Sequence, residues 1–83
     1  DEDTIVRSTT IRAMASRRTP GWLKVMSRSL LDNDFVIQRA AMDGLLGGGP
    51  EGVKALREFV SKNPRNRISS LASSELRIRG VQP

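Results

Sequence analysis

One apolar spacing recurs three times at a 31-residue period, and it restricts the fold more than any other feature of these 83 residues. Val6, Thr10 and Met14 become Ile37, Ala41 and Leu45, and then Ile68, Ala72 and Leu76. Each triplet runs i, i+4, i+8 and so lies on one stripe of a helix. The leading segment recurs as well, with Asp1-Glu2-Asp3-Thr4-Ile5-Val6-Arg7 setting on Asp32-Asn33-Asp34-Phe35-Val36-Ile37-Gln38. A unit this short cannot bury its apolar face alone, so copies must stack on one another.

A second kind of segment lies between the copies. Pro20-Gly21-Trp22-Leu23-Lys24-Val25-Met26 sets on Pro50-Glu51-Gly52-Val53-Lys54-Ala55-Leu56, with Pro in the first turn, where its missing N–H costs nothing. Leu23, Met26, Leu30 and Val53, Leu56, Val60 then form i, i+3, i+7 stripes. Breakers stand at Thr19-Pro20-Gly21, Gly47-Gly48-Gly49-Pro50, Asn63-Pro64 and Gly80. Together these predict five helices near 4–17, 20–31, 35–46, 50–61 and 66–79, and no stretch alternates long enough for a strand. The expected fold is all-α, a short α-solenoid of about five antiparallel helices in one module spanning 1–83, with repeats at about 1–31, 32–62 and 63–83.

The pattern resembles HEAT repeats in their shorter, HEAT-like form, which also occurs in bilin lyases. That family's motif is an acidic turn, then Val-Arg, then Ala-x-x-x-Leu on the inner helix. The residues that carry the likeness are Asp3 to Met14 and Asp34 to Leu45, with a degenerate third copy from Ile68 to Leu76. Gln38 and Ser69 replace the motif's Arg, and Arg65 replaces the turn acid. The resemblance implies a right-handed solenoid of two and a half repeats that acts as a scaffold for protein–protein interaction. Ankyrin's Thr-Pro-Leu-His and the tetratricopeptide signature are both missing, since the chain has no His and no Tyr. Ile37-Gln38-Arg39-Ala40-Ala41 is also similar to stretches of the alkylation-repair DNA glycosylases, which use HEAT-like repeats. Those enzymes rely on a carboxylate among aromatic side chains, whereas here Asp43 has at most the single Trp22, on another helix.

Composition excludes several chemistries. With no Cys and no His, there is no disulfide framework, no zinc finger and no Cys- or His-based nucleophile system. No paired carboxylates are placed by the repeat in a common pocket, so no catalytic residue and no cofactor is expected. A metal site from Asp1, Asp3, Asp32 and Asp34 would need two turns to converge, although adjacent repeats lie about 10 Å apart. Asp3 and Asp34 read instead as helix N-caps. The Gly47–Gly49 run lacks the Gly-Lys-Ser/Thr and the preceding strand of a phosphate loop, so it reads as a turn. Trp22 is expected to pack over the adjoining helix end rather than stand out as an anchor. Neither a signal-peptide core nor an apolar run near the ~18 residues of a membrane span is present, which predicts a cytoplasmic location; the missing initial Met is compatible with a processed piece.

The net charge is +5, and residues 51–83 hold seven basic side chains against Glu51, Glu58 and Glu75. Such a balance is one footprint of nucleic-acid binding. The cations are divided, however. Arg17, Arg18, Arg77 and Arg79 end helices, while Lys62, Arg65 and Arg67 flank the opposite turn, so no single stripe gathers them. Stepping 100° per residue from Val6, the core stripe of the first helix should hold Val6, Thr10, Ala13 and Met14. The opposite column holds Ser8, Arg12 and Ala15, which map onto Arg39, Asp43 and Leu46 and then onto Ser70, Ser74 and Arg77. In a solenoid this column lines the concave face. The expected partner-binding residues are therefore Ser8, Arg12, Arg39, Asp43, Ser70, Ser74 and Arg77. The mixed charges favour a protein partner, with nucleic acid as the alternative. The flank Ile11, Met42, Ser73 turns polar only at the last helix, and on the other flank the fifth helix keeps Leu71 and Ile78 while the first has Thr9, Arg12 and Ser16 with only Ile5 apolar, which predicts capped ends and a monomer.

Overall fold

The computed structural model describes residues 2–81, and all regular structure there is helical. The helices are α1 (Glu2–Arg17), α2 (Trp22–Ser29), α3 (Phe35–Leu46), α4 (Gly49–Lys62) and α5 (Arg67–Ile78). Their boundaries follow local chemistry. Asp34 caps α3 by accepting from the Val36 N–H at 2.8 Å, and Asn66 caps α5 by accepting from the Ile68 N–H at 3.1 Å. Pro50 sits in the first turn of α4, and Gly80, at φ 79°, ends α5 as Val81 N–H reaches back to the Leu76 carbonyl at 2.8 Å. Arg18 takes the left-handed position after α1, at φ 51°, and its guanidinium lies 5.9 Å from the Trp22 ring centroid. The α2 helix begins after Gly21, at φ 81°, and ends at Ser29, so that Leu30, the last residue of its apolar stripe, is its C-cap.

α3 packs against all four other helices, whereas α1 meets only α2 and α3 among the described residues. The odd helices α1, α3 and α5 therefore form one row, and α2 and α4 a second row laid over it. The core sits between the rows. Met26 of α2 and Leu30 just after it, Ile37, Ala41, Met42 and Leu45 of α3, Leu56 of α4, and Ile68, Ala72 and Leu76 of α5 are all fully buried or within 1% of it. The Leu, Ile and Met side chains among them contribute about 1.5–3 kcal/mol each when buried. Trp22 is buried too, over Gly48; a Cβ there would come within 2.3 Å of the Trp22 ring. None of the described helices is long and apolar enough to cross a membrane.

The periodic stripe holds on α3 and α5 and fails on α1. Val6 is 62% exposed, Thr10 and Ala13 are exposed, and Met14 is half-buried; the residues α1 buries are Ile11 and Ala15. The reason is positional. α3 and α5 each pack against the even helix that precedes them, α2 and α4, whereas α1 is first in its row, meets only α2 and α3, and has no even helix before it among the described residues. Ile5, at 63% exposed, lies on the same uncovered side as Val6. Ile5 and Val6 are thus open to solvent, while Thr9, Arg12 and Ser16 of the same helix are exposed and polar, and Ile11 faces the neighbour as the flank pattern predicts. Asp3 is likewise no cap: it lies inside the first turn of α1, 3.9 Å from Arg7.

Candidate functional site

Two polar systems cross the repeat boundaries. The first is structural. Positions 7, 38 and 69 share the 31-residue period, and each donates to a turn that leads into an odd helix. Arg7 Nη2 meets Asp32 Oδ2 at 2.6 Å, with Thr4 donating to Asp34 at 2.8 Å beside it. Gln38 Nε2 donates to the Leu30 carbonyl at 2.8 Å and to Asn66 Oδ1 at 3.1 Å, and Ser69 Oγ donates to the Asn63 carbonyl at 2.6 Å. Gln38 and Ser69 are each 2% exposed, so these bonds satisfy groups that would otherwise be costly to bury. Arg67 closes the system: Nε donates to Gln38 Oε1 at 3.1 Å, Nη2 to the Asn33 carbonyl at 2.8 Å, and its guanidinium stacks 5.2 Å from the Phe35 ring centroid. The backbone N–H of Asp34 holds the Asp32 carboxyl below its ordinary value, with Arg7 adding to this, and the Thr4 hydroxyl and the Val36 N–H do the same for Asp34. Both are carboxylates near neutral pH, committed to the turn rather than to proton transfer.

The second system lies on the exposed side of the odd row. Asp43 receives Arg12 Nη1 at 3.0 Å from α1 and Arg39 Nε at 3.3 Å from its own helix. All three side chains stay one-third to one-half exposed. Arg12 and Asp43 occupy the same repeat position one period apart, so neighbouring parallel elements bring them face to face. Beside them runs an open groove of about 260 Å³ lined by Arg12, Ala15, Ser16, Asp43, Gly44 and Gly47. Gly44 makes this approach possible, because a Cβ there would lie 2.7 Å from the Ala15 Cβ.

The structure brings together only part of the expected column. Arg12, Arg39 and Asp43 form the cluster just described. Ser8 is half-buried and donates to the Ile5 carbonyl of its own helix at 3.0 Å. Ser70, Ser74 and Arg77 line a separate groove against Val60 and Pro64 of the α4 side, where Arg77 Nη2 lies 3.4 Å from Ser74 Oγ. Ala15 and Leu46, assigned to the same column, are buried at 5% and 7% exposed. Three contributors were not legible as such: Asn66, which takes over the capping role one residue beyond Arg65; Arg67, which stacks inside the turn system; and Gly44. For Gly44 a signal existed, since small residues at 15 and 44 on adjacent helices mark a close crossing. No group of His, Cys, Asp and Glu able to hold a metal ion occurs among the described residues. Comparison with protein-family models, with curated proteins and with solved structures gives no match for this chain.

Proposed function

We propose that this chain is a non-enzymatic, monomeric HEAT-like module of two and a half repeats in a right-handed solenoid, which binds another protein along the exposed face of its odd helices. The observation that carries the reading is the Arg12–Asp43–Arg39 cluster beside an open groove. Charges that serve only stability are better spent in the turns, as Arg7 and Arg67 are; exposed ion pairs add about 0–1 kcal/mol. The two-row helix arrangement supports the repeat architecture, with odd helices inner and even helices outer.

A protein partner suits this face better than a phosphate backbone. Arg12 and Arg39 share a carboxylate, and Arg67 is spent on Phe35, Gln38 and Asn33, so the row offers no unbroken stripe of cations. The test is a pull-down from the native source with the Arg12→Ala/Arg39→Ala chain as control. Proteins retained equally by both forms do not use this face, and a partner lost only from the double variant does. If every retained protein binds both forms alike, the assignment of this face fails.

A further inference from the structure

Resting on that reading of the odd-helix face, we infer that the groove between α1 and α3 receives an acidic side chain of the partner, and that Asp43 is its internal stand-in. Two guanidinium groups carry ten N–H donors between them. Asp43 accepts one hydrogen bond from each, through Arg12 Nη1 and Arg39 Nε. The remaining edge of each guanidinium has no partner among the described residues and faces solvent, with Arg12 49% and Arg39 43% exposed. The cluster keeps a net charge of +1. Each free edge can take a carboxylate in the two-bond geometry that Arg favours.

The groove's shape points the same way. Its floor is Ala15, Gly44 and Gly47, which carry at most a methyl group, so nothing competes for the space in front of the Arg12 guanidinium, and Arg39 stands outside the lining, held to its rim through Asp43. Ser16 contributes an exposed hydroxyl on the α1 side. A volume of about 260 Å³ accommodates an Asp or Glu side chain with its backbone at the rim, but not a helix. The chain's net charge of +5 draws acidic segments toward it from a distance. The occupant is therefore an extended acidic protein segment that places one carboxylate on the free guanidinium edges of Arg12 and Arg39, where it competes with Asp43 for the same positive charges.

That competition gives the test an unusual sign. The probe is a fluorescein-labelled ten-residue Glu/Gly peptide, titrated by anisotropy at ~0.1 M salt, where exposed charges act over about 10 Å. Arg12→Ala and Arg39→Ala should each weaken binding about tenfold, as expected for losing one charge-assisted bond. Asp43→Asn should tighten it by about three- to tenfold, because the occupant no longer shares the two guanidinium charges with, or is repelled by, a neighbouring carboxylate. Arg57→Ala, on the far row, controls for the loss of one positive charge and should cost less than about twofold. Circular dichroism of each variant confirms that the fold is kept. Weaker or unchanged binding by Asp43→Asn overturns the inference, and so does an Arg57→Ala effect equal to that of Arg12→Ala. An oligothymidylate bound more tightly than the peptide, with a log–log salt slope of several, would also overturn it in favour of phosphate. If the peptide fails while a pulled-down partner still depends on Arg12 and Arg39, the acidic assignment falls and the protein-binding face stands.

Discussion

Gly44→Ala probes the contact that sets the α1–α3 spacing. A Cβ on residue 44 would lie 2.7 Å from the Ala15 Cβ and 3.1 Å from Met26 Sδ. Carbon atoms pack at about 3.5–4.0 Å, so the two helices must part by roughly 1 Å at this crossing. Overpacking of that kind costs about 1–3 kcal/mol, while exchanging Gly for Ala inside a helix returns about 0.5–1 kcal/mol. The expected net loss is about 0.5–2 kcal/mol, and 1 kcal/mol moves Tm by about 4–8 °C in a domain of this size. Ala15→Gly alone should cost roughly 2 kcal/mol, from one lost buried methyl and the lower helix propensity of Gly. The double variant exchanges the two side chains across the interface. The Ala15 clash is then gone, the flexible Met26 side chain need yield only a few tenths of an ångström, and the propensity changes cancel, so the pair should lie within about 1 kcal/mol of the parent.

Urea unfolding followed by circular dichroism measures all four corners of this cycle, because a single small domain of this kind unfolds in one cooperative step. The reasoning requires a favourable coupling of about 2 kcal/mol between positions 15 and 44. Single-variant effects that add to within about 0.5 kcal/mol would refute it, since residues that do not share a crossing are independent. Gly44 also adjoins Asp43, so parting the helices lengthens the Arg12–Asp43 pair, and peptide affinity should change in the single variant and recover in the double one.

Val6 and Ile37 occupy equivalent repeat positions but opposite environments, at 62% and 1% exposed. Val6→Ala should therefore cost within about 0.5 kcal/mol and Ile37→Ala about 2–5 kcal/mol by the same urea melts. Gln38→Ala strands the Leu30 carbonyl and the Arg67 Nε, and should cost about 1–3 kcal/mol; a neutral result would mean that water replaces the amide. Asp32 and Asp34 both have folded pKa values below the ordinary 3.8. Their contribution is thus complete above that value and drains away as pH falls through the lowered folded values. Asp34→Asn keeps a capping acceptor and removes the titration, so its thermal midpoint should depend less on pH than the parent's between about pH 5 and 2. Equal slopes would show that the Asp34 carboxylate is not linked to folding.

What the sequence reveals depends on whether a residue's role is set by its own neighbourhood or by what lies beside it. The α3 and α5 stripes are legible because Ile37, Ala41, Leu45 and Ile68, Ala72, Leu76 meet covering helices at every step, so period alone predicts burial. Val6 and Thr10 obey the same period, yet no local signal distinguishes them: their exposure follows from α1 having no even helix before it among the described residues, as α3 and α5 have. The turn system behaves in the opposite way. Arg7, Gln38 and Ser69 look like a motif that decays, but all three donate to the turns around the odd helices. Function at the repeat position survived a change of side chain because a carbonyl, an amide oxygen or a carboxylate can each accept the bond. The candidate site falls between these cases. Arg12 and Asp43 are one period apart, and that relation alone brings them face to face when α1 and α3 pack side by side. The groove is legible only through Gly44 and Ala15, whose meaning depends on how closely the two helices cross. Arg77 shares the column by number, but in the structure it joins Val60 and Pro64 on the α4 side. A repeat position therefore fixes the side of the helix row a residue occupies, and the neighbouring helix decides whether that residue meets the groove.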